Sequence, residues 1–125
     1  MIELRNVTKC YGPVTALAGL SLEVHEGETF GLLGRNGAGK TTTLRLVAGL
    51  ARPTAGQVRV AGLDPWENGE QVRRQMGVLM EGGLLYNGLT VWENLLLFAG
   101  LFGVGERAAH DALARMGVAD LKDRL

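Results

Sequence analysis

The sequence is poor in cysteine, serine and proline and carries no net charge. Of its 125 residues one is cysteine (Cys10), one is serine (Ser21) and three are proline, while 13 basic side chains balance 13 acidic ones. A single cysteine excludes an intrachain disulfide and makes a reducing compartment the default. Scarce serine and proline exclude a flexible linker or a polyproline segment. A nucleic-acid module neutralises phosphates with a basic stripe, whereas the cations here are scattered among acids, so no nucleic-acid partner is expected. The longest apolar run, Leu95 to Val104, is far shorter than the ~20 residues that span a bilayer. The opening MIELRNVTK has two charges within its first five residues and no apolar core of a signal peptide. The expected compartment is the cytoplasm. What is in excess is glycine, 19 residues, about twice the usual ~7%. With 46% hydrophobic residues to build a core, that excess points to specific places where the backbone turns tightly or approaches another group closely.

Alternation of apolar and polar side chains predicts half-buried strands over residues 2–8 (Ile2, Leu4, then Val7 after a slip) and 20–24. Residues 29–33, Thr-Phe-Gly-Leu-Leu, are apolar on both faces, the pattern of a fully covered parallel strand. They lead into Gly34-Arg35-Asn36-Gly37-Ala38-Gly39 and then a helix over 40–50, with Leu44, Val47 and Ala48 at helical spacing. A breaker at 52–56 precedes a short strand at 57–61, a turn at 62–65, a polar helix at 67–75 and a further apolar strand at 76–80. Thr90 followed three residues later by Glu93 is a reciprocal capping pattern and starts a helix running to about Phe102. A last helix covers 106–116, with Gly117 as its C-terminal cap. Residues 118–125 begin another short helical pattern, which nothing in the sequence is expected to cap. Strands alternating with helices give an α/β class with antiparallel strands near the start.

The strongest chemical signal is Gly34, four intervening residues, then Gly39-Lys40-Thr41. Backbone amides unobstructed at Gly37 and Gly39 curl around nucleotide phosphates, and the helix that follows turns its partial positive end to the same anion. Lys40 adds a mobile full charge for the β and γ phosphates, and the Thr41 hydroxyl is a Mg²⁺ ligand. From this composition the pattern arises by chance in roughly half a percent of chains of this length.

The neighbouring residues narrow the reading. The stretch from Gly34 through Thr41-Thr42-Thr43-Leu44 resembles the Walker A loop of ABC transporter ATPases. Tyr11-Gly12, about thirty residues before Lys40, resembles the family's aromatic loop that stacks on adenine. Residues 49–56 resemble its G-L-x-x-P-x-x-G segment, residues 76–81 the strand leading to its Q-loop, and residues 89–95 the L-T-V-x-E-N-L that opens its helical subdomain. The resemblance covers essentially the whole chain. It implies a P-loop NTPase (RecA-like) core with an antiparallel β-subdomain over residues 1–90, and the start of a truncated α-helical subdomain over 91–125. It also implies ATP and Mg²⁺ as cofactors. Nucleotide would be bound by Tyr11, Gly34, Arg35, Asn36, Gly37, Ala38, Gly39, Lys40, Thr41 and Thr42. Catalytic roles fall to Lys40 and Glu81, and metal contacts to Thr41 and Glu81. Implied partners are a transmembrane permease subunit and a second ATP-binding subunit in a head-to-tail dimer. The implied location is the cytoplasmic face of the membrane, held there through the permease, and the compact P-loop region resembles subunits of small export-type permeases.

Two departures from the family pattern bear on chemistry. Glu81 stands where the family has the Q-loop glutamine; a carboxylate still ligates Mg²⁺, but its charge repels a γ-phosphate unless metal lies between. The L-S-G-G-Q signature, the Walker B Asp-Glu pair, the D-loop and the switch histidine do not occur in the 125 residues. Binding without appreciable hydrolysis is therefore expected of these residues alone. Alternatives are a non-hydrolysing regulatory module and a soluble ABC ATPase outside a transporter. A GTPase is disfavoured because no N-K-x-D motif occurs. His25 and His110 are expected at the surface, and Trp66 and Trp92 in packing or at an interface.

Overall fold

The computed structural model describes residues 1–79 and 85–125, which divide into two compact units, Met1–Val78 and Leu79–Leu125. In the first unit β1 (Ile2–Tyr11) and β2 (Val14–Val24) form an antiparallel hairpin, and β3 (Ala55–Val60) pairs with the other edge of β1, giving the order β2-β1-β3. The slip in the apolar pattern of β1 has a structural cause. Register shifts between Leu4 and Val7 on the β2 side, and Asn6 adopts φ 48°, a left-handed conformation that Asn tolerates better than most residues. The only serine patches this bulge: Ser21 Oγ accepts from the Asn6 amide at 2.9 Å and lies 3.3 Å from Asn6 Oδ1.

Helix α1 (Lys40–Val47) lies against this sheet. Leu46 packs with Leu4, Val7, Leu17 and Val58 in the buried core, and Val47 and Ala51 pack around them. Burying one such side chain stabilises the fold by roughly 1.5–3 kcal/mol. The inward positions are Thr43 and Leu46, and Leu44, expected on that face, is exposed. Thr43 and Leu46 stand three residues apart, so they share one side of the helix, and Leu44 falls off it. After β3, the short helix α2 (Gly69–Arg73) covers only part of residues 67–75 and buries Val72.

The structure corrects two strand expectations. Residues 29–33 and 76–79 are not in strands; Phe30 is 46% and Leu33 93% exposed. An all-apolar strand requires hydrogen-bonded neighbours and cover on both faces, and neither segment has a paired strand beside it among the described residues. Met80, the last residue of the expected strand at 76–80, lies outside the described residues.

The second unit contains α3 (Val91–Leu101), α4 (Glu106–Met116) and a 3₁₀ turn at Ala119–Leu121. Ala99 of α3 and Ala109 and Leu113 of α4 are buried. The Trp92 and His110 rings meet with centroids 4.3 Å apart, so His110 is exposed yet engaged. Gly117 ends α4 with φ 68°. The residues after it serve as a cap: the carbonyls of Arg124 and Lys122 accept from the Val91 and Trp92 amides, each at 2.8 Å. Those amides are among the ones a helix start leaves unpaired. Among the described residues no helix is long and apolar enough to cross a membrane.

Candidate nucleotide-binding site

The site is built from the turn that precedes α1. The Arg35 carbonyl accepts from the Ala38 amide at 3.1 Å, which closes a four-residue turn with Gly37 as its third residue at φ 84°. Such turns need a residue that tolerates positive φ at that position. Gly39 follows at φ 87°. A Cβ there would sit 2.5 Å from Leu17 Cδ2 and 2.6 Å from the Ala16 carbonyl oxygen, so both conformation and space exclude a side chain. The loop thus presses directly against β2.

From Gly39 the helix starts at once. The Gly39 carbonyl accepts from the Thr43 amide at 2.8 Å and from Thr43 Oγ1 at 3.0 Å, which makes the buried Thr43 structural. Among the described residues no side chain caps the N-terminus, and no acid occupies the first turn. A helix start without a cap presents unpaired amides and a partial positive charge, a ready acceptor of an anion. Lys40 adds a full charge at the same place: its Nζ donates to the Gly34 carbonyl at 2.6 Å and the Arg35 carbonyl at 2.8 Å. An ammonium has three donors, so one remains for a ligand.

Arg35, Asn36, Gly37, Ala38 and Thr41 are exposed, and Thr42 is half-buried. The Thr41 hydroxyl suits Mg²⁺ as one oxygen ligand, but no cluster of three or more metal-binding side chains exists among the described residues. Mg²⁺ characteristically keeps several waters and binds through one or two protein ligands together with substrate phosphates. The donor set at Thr41 therefore fits a metal brought in with a nucleotide. Glu81, the other expected metal contact, lies outside the described residues.

Tyr11 ends β1 and is 44% exposed. The Lys9 ammonium stands 4.8 Å from the ring centroid. β1 reaches the loop through its partner strand, since Lys9 is paired with Leu17, the residue that Gly39 presses against.

In the second unit the Thr90–Glu93 capping box forms as expected. Thr90 Oγ1 accepts from the Glu93 amide at 3.2 Å, and Glu93 Oε2 accepts from the Thr90 amide at 2.8 Å and its hydroxyl at 2.9 Å. The bonds from the Thr90 amide and then its hydroxyl hold the Glu93 carboxyl below the usual carboxylate range. Sequence reading missed the neighbouring Asn94. Its buried side chain accepts from the Tyr86 amide (2.8 Å) and donates to the carbonyls of Tyr86, Leu89 and Thr90 (3.1, 3.2 and 3.1 Å), stitching the loop to α3. The available signal was an amide residue at the fourth position of an apolar helix. Beside it lies an apolar cleft of about 440 Å³, lined by Leu85, Tyr86, Leu95, Phe98, Leu113 and Met116 among others.

The sequence profile of the ABC transporter family matches residues 17–125. The chain is 40% identical over 119 residues to the probable multidrug ABC transporter ATP-binding protein YbhF of Escherichia coli, which covers 95% of this chain and 21% of that protein. It is 39% identical over 111 residues to the bacitracin transport ATP-binding protein BcrA of Bacillus licheniformis, covering 89% of this chain and 36% of that one. It is 47% identical over 103 residues to the Nod factor export ATP-binding protein I of Paraburkholderia xenovorans, covering 82% and 34%. A solved structure of the ATP-binding subunit of an ABC transporter is similar with a TM-score of 0.80 at 29% identity, over 98% of this chain and 53% of that chain. The chain thus spans well under half the length of these curated relatives and about half of the solved subunit. With the profile matched over most of its residues and the fold shared, the chain belongs to the ABC transporter family.

Proposed function

We propose that the chain binds Mg²⁺-ATP through residues 34–42, and that the complete protein couples ATP binding and hydrolysis to solute movement through a membrane permease. The observation that carries this reading is the convergence on one loop of an uncapped helix start, two positive-φ glycines and the Lys40 ammonium. Amides of Gly37, Ala38 and Gly39 and the first turn of α1 receive the phosphates, with Arg35 and Asn36 at the mouth of the loop. Lys40 neutralises charge on the β and γ phosphates, and Tyr11 stacks on adenine. Thr41 and Glu81 are proposed as the residues that would hold Mg²⁺, which would neutralise phosphate charge when bound, and Thr42 as a further nucleotide contact. Residues 1–90 form the nucleotide-binding part, and residues 91–125 open the helical subdomain.

Turnover requires an oriented water and full neutralisation of the developing charge. The base and signature motif that would supply these are absent from the 125 residues, so these residues alone bind nucleotide without appreciable hydrolysis. In the complete protein a second ATP-binding subunit, arranged head to tail, closes the site. The apolar cleft beside Asn94 offers the permease a docking surface and would hold the subunit at the cytoplasmic face of the membrane. The word export in the name of one relative supports outward transport. Phosphate release from the purified 125 residues tests the division between binding and turnover: a rate at background supports it, and a rate abolished by Lys40→Ala overturns it.

A further inference from the structure

Tyr11 stands at the end of β1, where the support of β3 has already stopped. The last pair between these strands is Thr8 with Ala55, while β2 continues to pair through Cys10–Thr15 and Tyr11–Val14. The loop between α1 and β3 takes over the open edge. Thr54 donates its amide to the Thr8 carbonyl at 2.8 Å, and its Oγ1 accepts from the Cys10 amide at 3.0 Å. A side chain thus continues the ladder for one more residue. Lys9 adds a second tie: its Nζ donates to the Arg52 carbonyl at 2.8 Å and from there lies over the Tyr11 ring. Lys9 and Tyr11 are two apart on a strand and share one face, which lets the ammonium reach the ring.

We propose that Lys9 and Thr54 are positioning residues for Tyr11, Lys9 covering one face of its ring so that a purine stacks on the other, and Thr54 fixing the strand end that carries it. The inference rests on the reading of Tyr11 as the adenine-stacking residue. A cation over an aromatic face is held there by the ring quadrupole. Anchored at Arg52, it limits the orientations of an otherwise exposed ring, so less freedom is lost when a base stacks.

The test is calorimetric titration of the full-length protein with Mg²⁺-ATP and, separately, with inorganic triphosphate, which has no base. Tyr11→Ala is expected to weaken ATP on the order of tenfold and to leave triphosphate unchanged. Lys9→Met and Thr54→Val are each expected to weaken ATP by about threefold, to leave triphosphate unchanged, and to add nothing in the Tyr11→Ala background. Lys9→Arg and Thr54→Ser should restore wild-type affinity. Unchanged triphosphate binding also reports an intact fold, and if Thr54→Val does not fold, the Lys9 series carries the test. A loss that extends to triphosphate makes Lys9 a direct phosphate contact and overturns the inference. A loss that persists in the Tyr11→Ala background, or no loss while Tyr11→Ala weakens ATP, also overturns it. If Tyr11→Ala leaves ATP affinity unchanged, the reading of Tyr11 itself fails.

Discussion

The Nζ of Lys40 lies 2.6 Å from the carbonyl oxygen of Gly34, so the first residue of α1 is tied to the first residue of the loop before it. The same ammonium reaches the Arg35 carbonyl and closes the loop before any anion arrives. Lys40 therefore braces the backbone as well as supplying charge. Lys40→Met should lower unfolding free energy by about 1 kcal/mol and speed hydrogen exchange at the Ala38 amide, which bonds across the turn. Unchanged stability and exchange would show that the lysine does not brace the loop.

Two glycines with similar φ should respond very differently to alanine. At Gly39, φ 87° combines with overlap against Leu17 and the Ala16 carbonyl; at Gly27, φ is 76° with nothing within 4 Å. Gly27→Ala carries only the conformational cost, about 1–2 kcal/mol. Gly39→Ala adds steric displacement of β2 and should cost at least ~3 kcal/mol. Urea denaturation of both variants checks the difference, and equal costs would mean that β2 does not press on the loop.

The capping box of α3 should be pH-dependent. The Glu93 carboxyl is held below its usual 4.5 by bonds from Thr90, backbone first. A depressed folded value means the carboxylate contributes stability in full above about pH 4.5, and that this is lost as pH falls through the folded value. An NMR titration should find Glu93 below the ordinary glutamate range. Thr90→Ala should return it toward that range and cost about 1 kcal/mol of stability. An unshifted Glu93 would exclude the box.

Asn94 is only 5% exposed, and its side chain makes four bonds to the loop before α3. Asn94→Leu leaves the Tyr86 amide and three carbonyls without that partner. The expected destabilisation is about 2–3 kcal/mol, with faster exchange of the Tyr86 amide. Both are measurable by denaturation and NMR.

How much of this was legible in the sequence follows the range of the forces involved. Local chemistry was readable. The capping box depends on residues three apart and Gly117 on helix termination; the glycine excess pointed to tight turns, and Gly12, Gly27, Gly49, Gly56 and Gly62 all have positive φ. The slip before Val7 marked the bulge at Asn6, although nothing local revealed that Ser21, fifteen residues away, would patch it. Gly39 was legible as a residue needing close backbone approach; that β2 occupies the space was not. The apolar character of residues 29–33 was read correctly, but strand formation depends on neighbours that a local pattern cannot supply. The same limit applies to Thr54 and the Cys10 amide, 44 residues apart.

Binding of Mg²⁺-ATP by residues 34–42 through Lys40 can be measured by titrating the full-length protein and its Lys40→Ala variant with a fluorescent ATP analogue, with and without Mg²⁺. The wild type should bind saturably, more tightly with Mg²⁺, and the variant at least about tenfold more weakly, as befits a lost charged contact. Equal affinity of the two proteins for the analogue would contradict binding through Lys40.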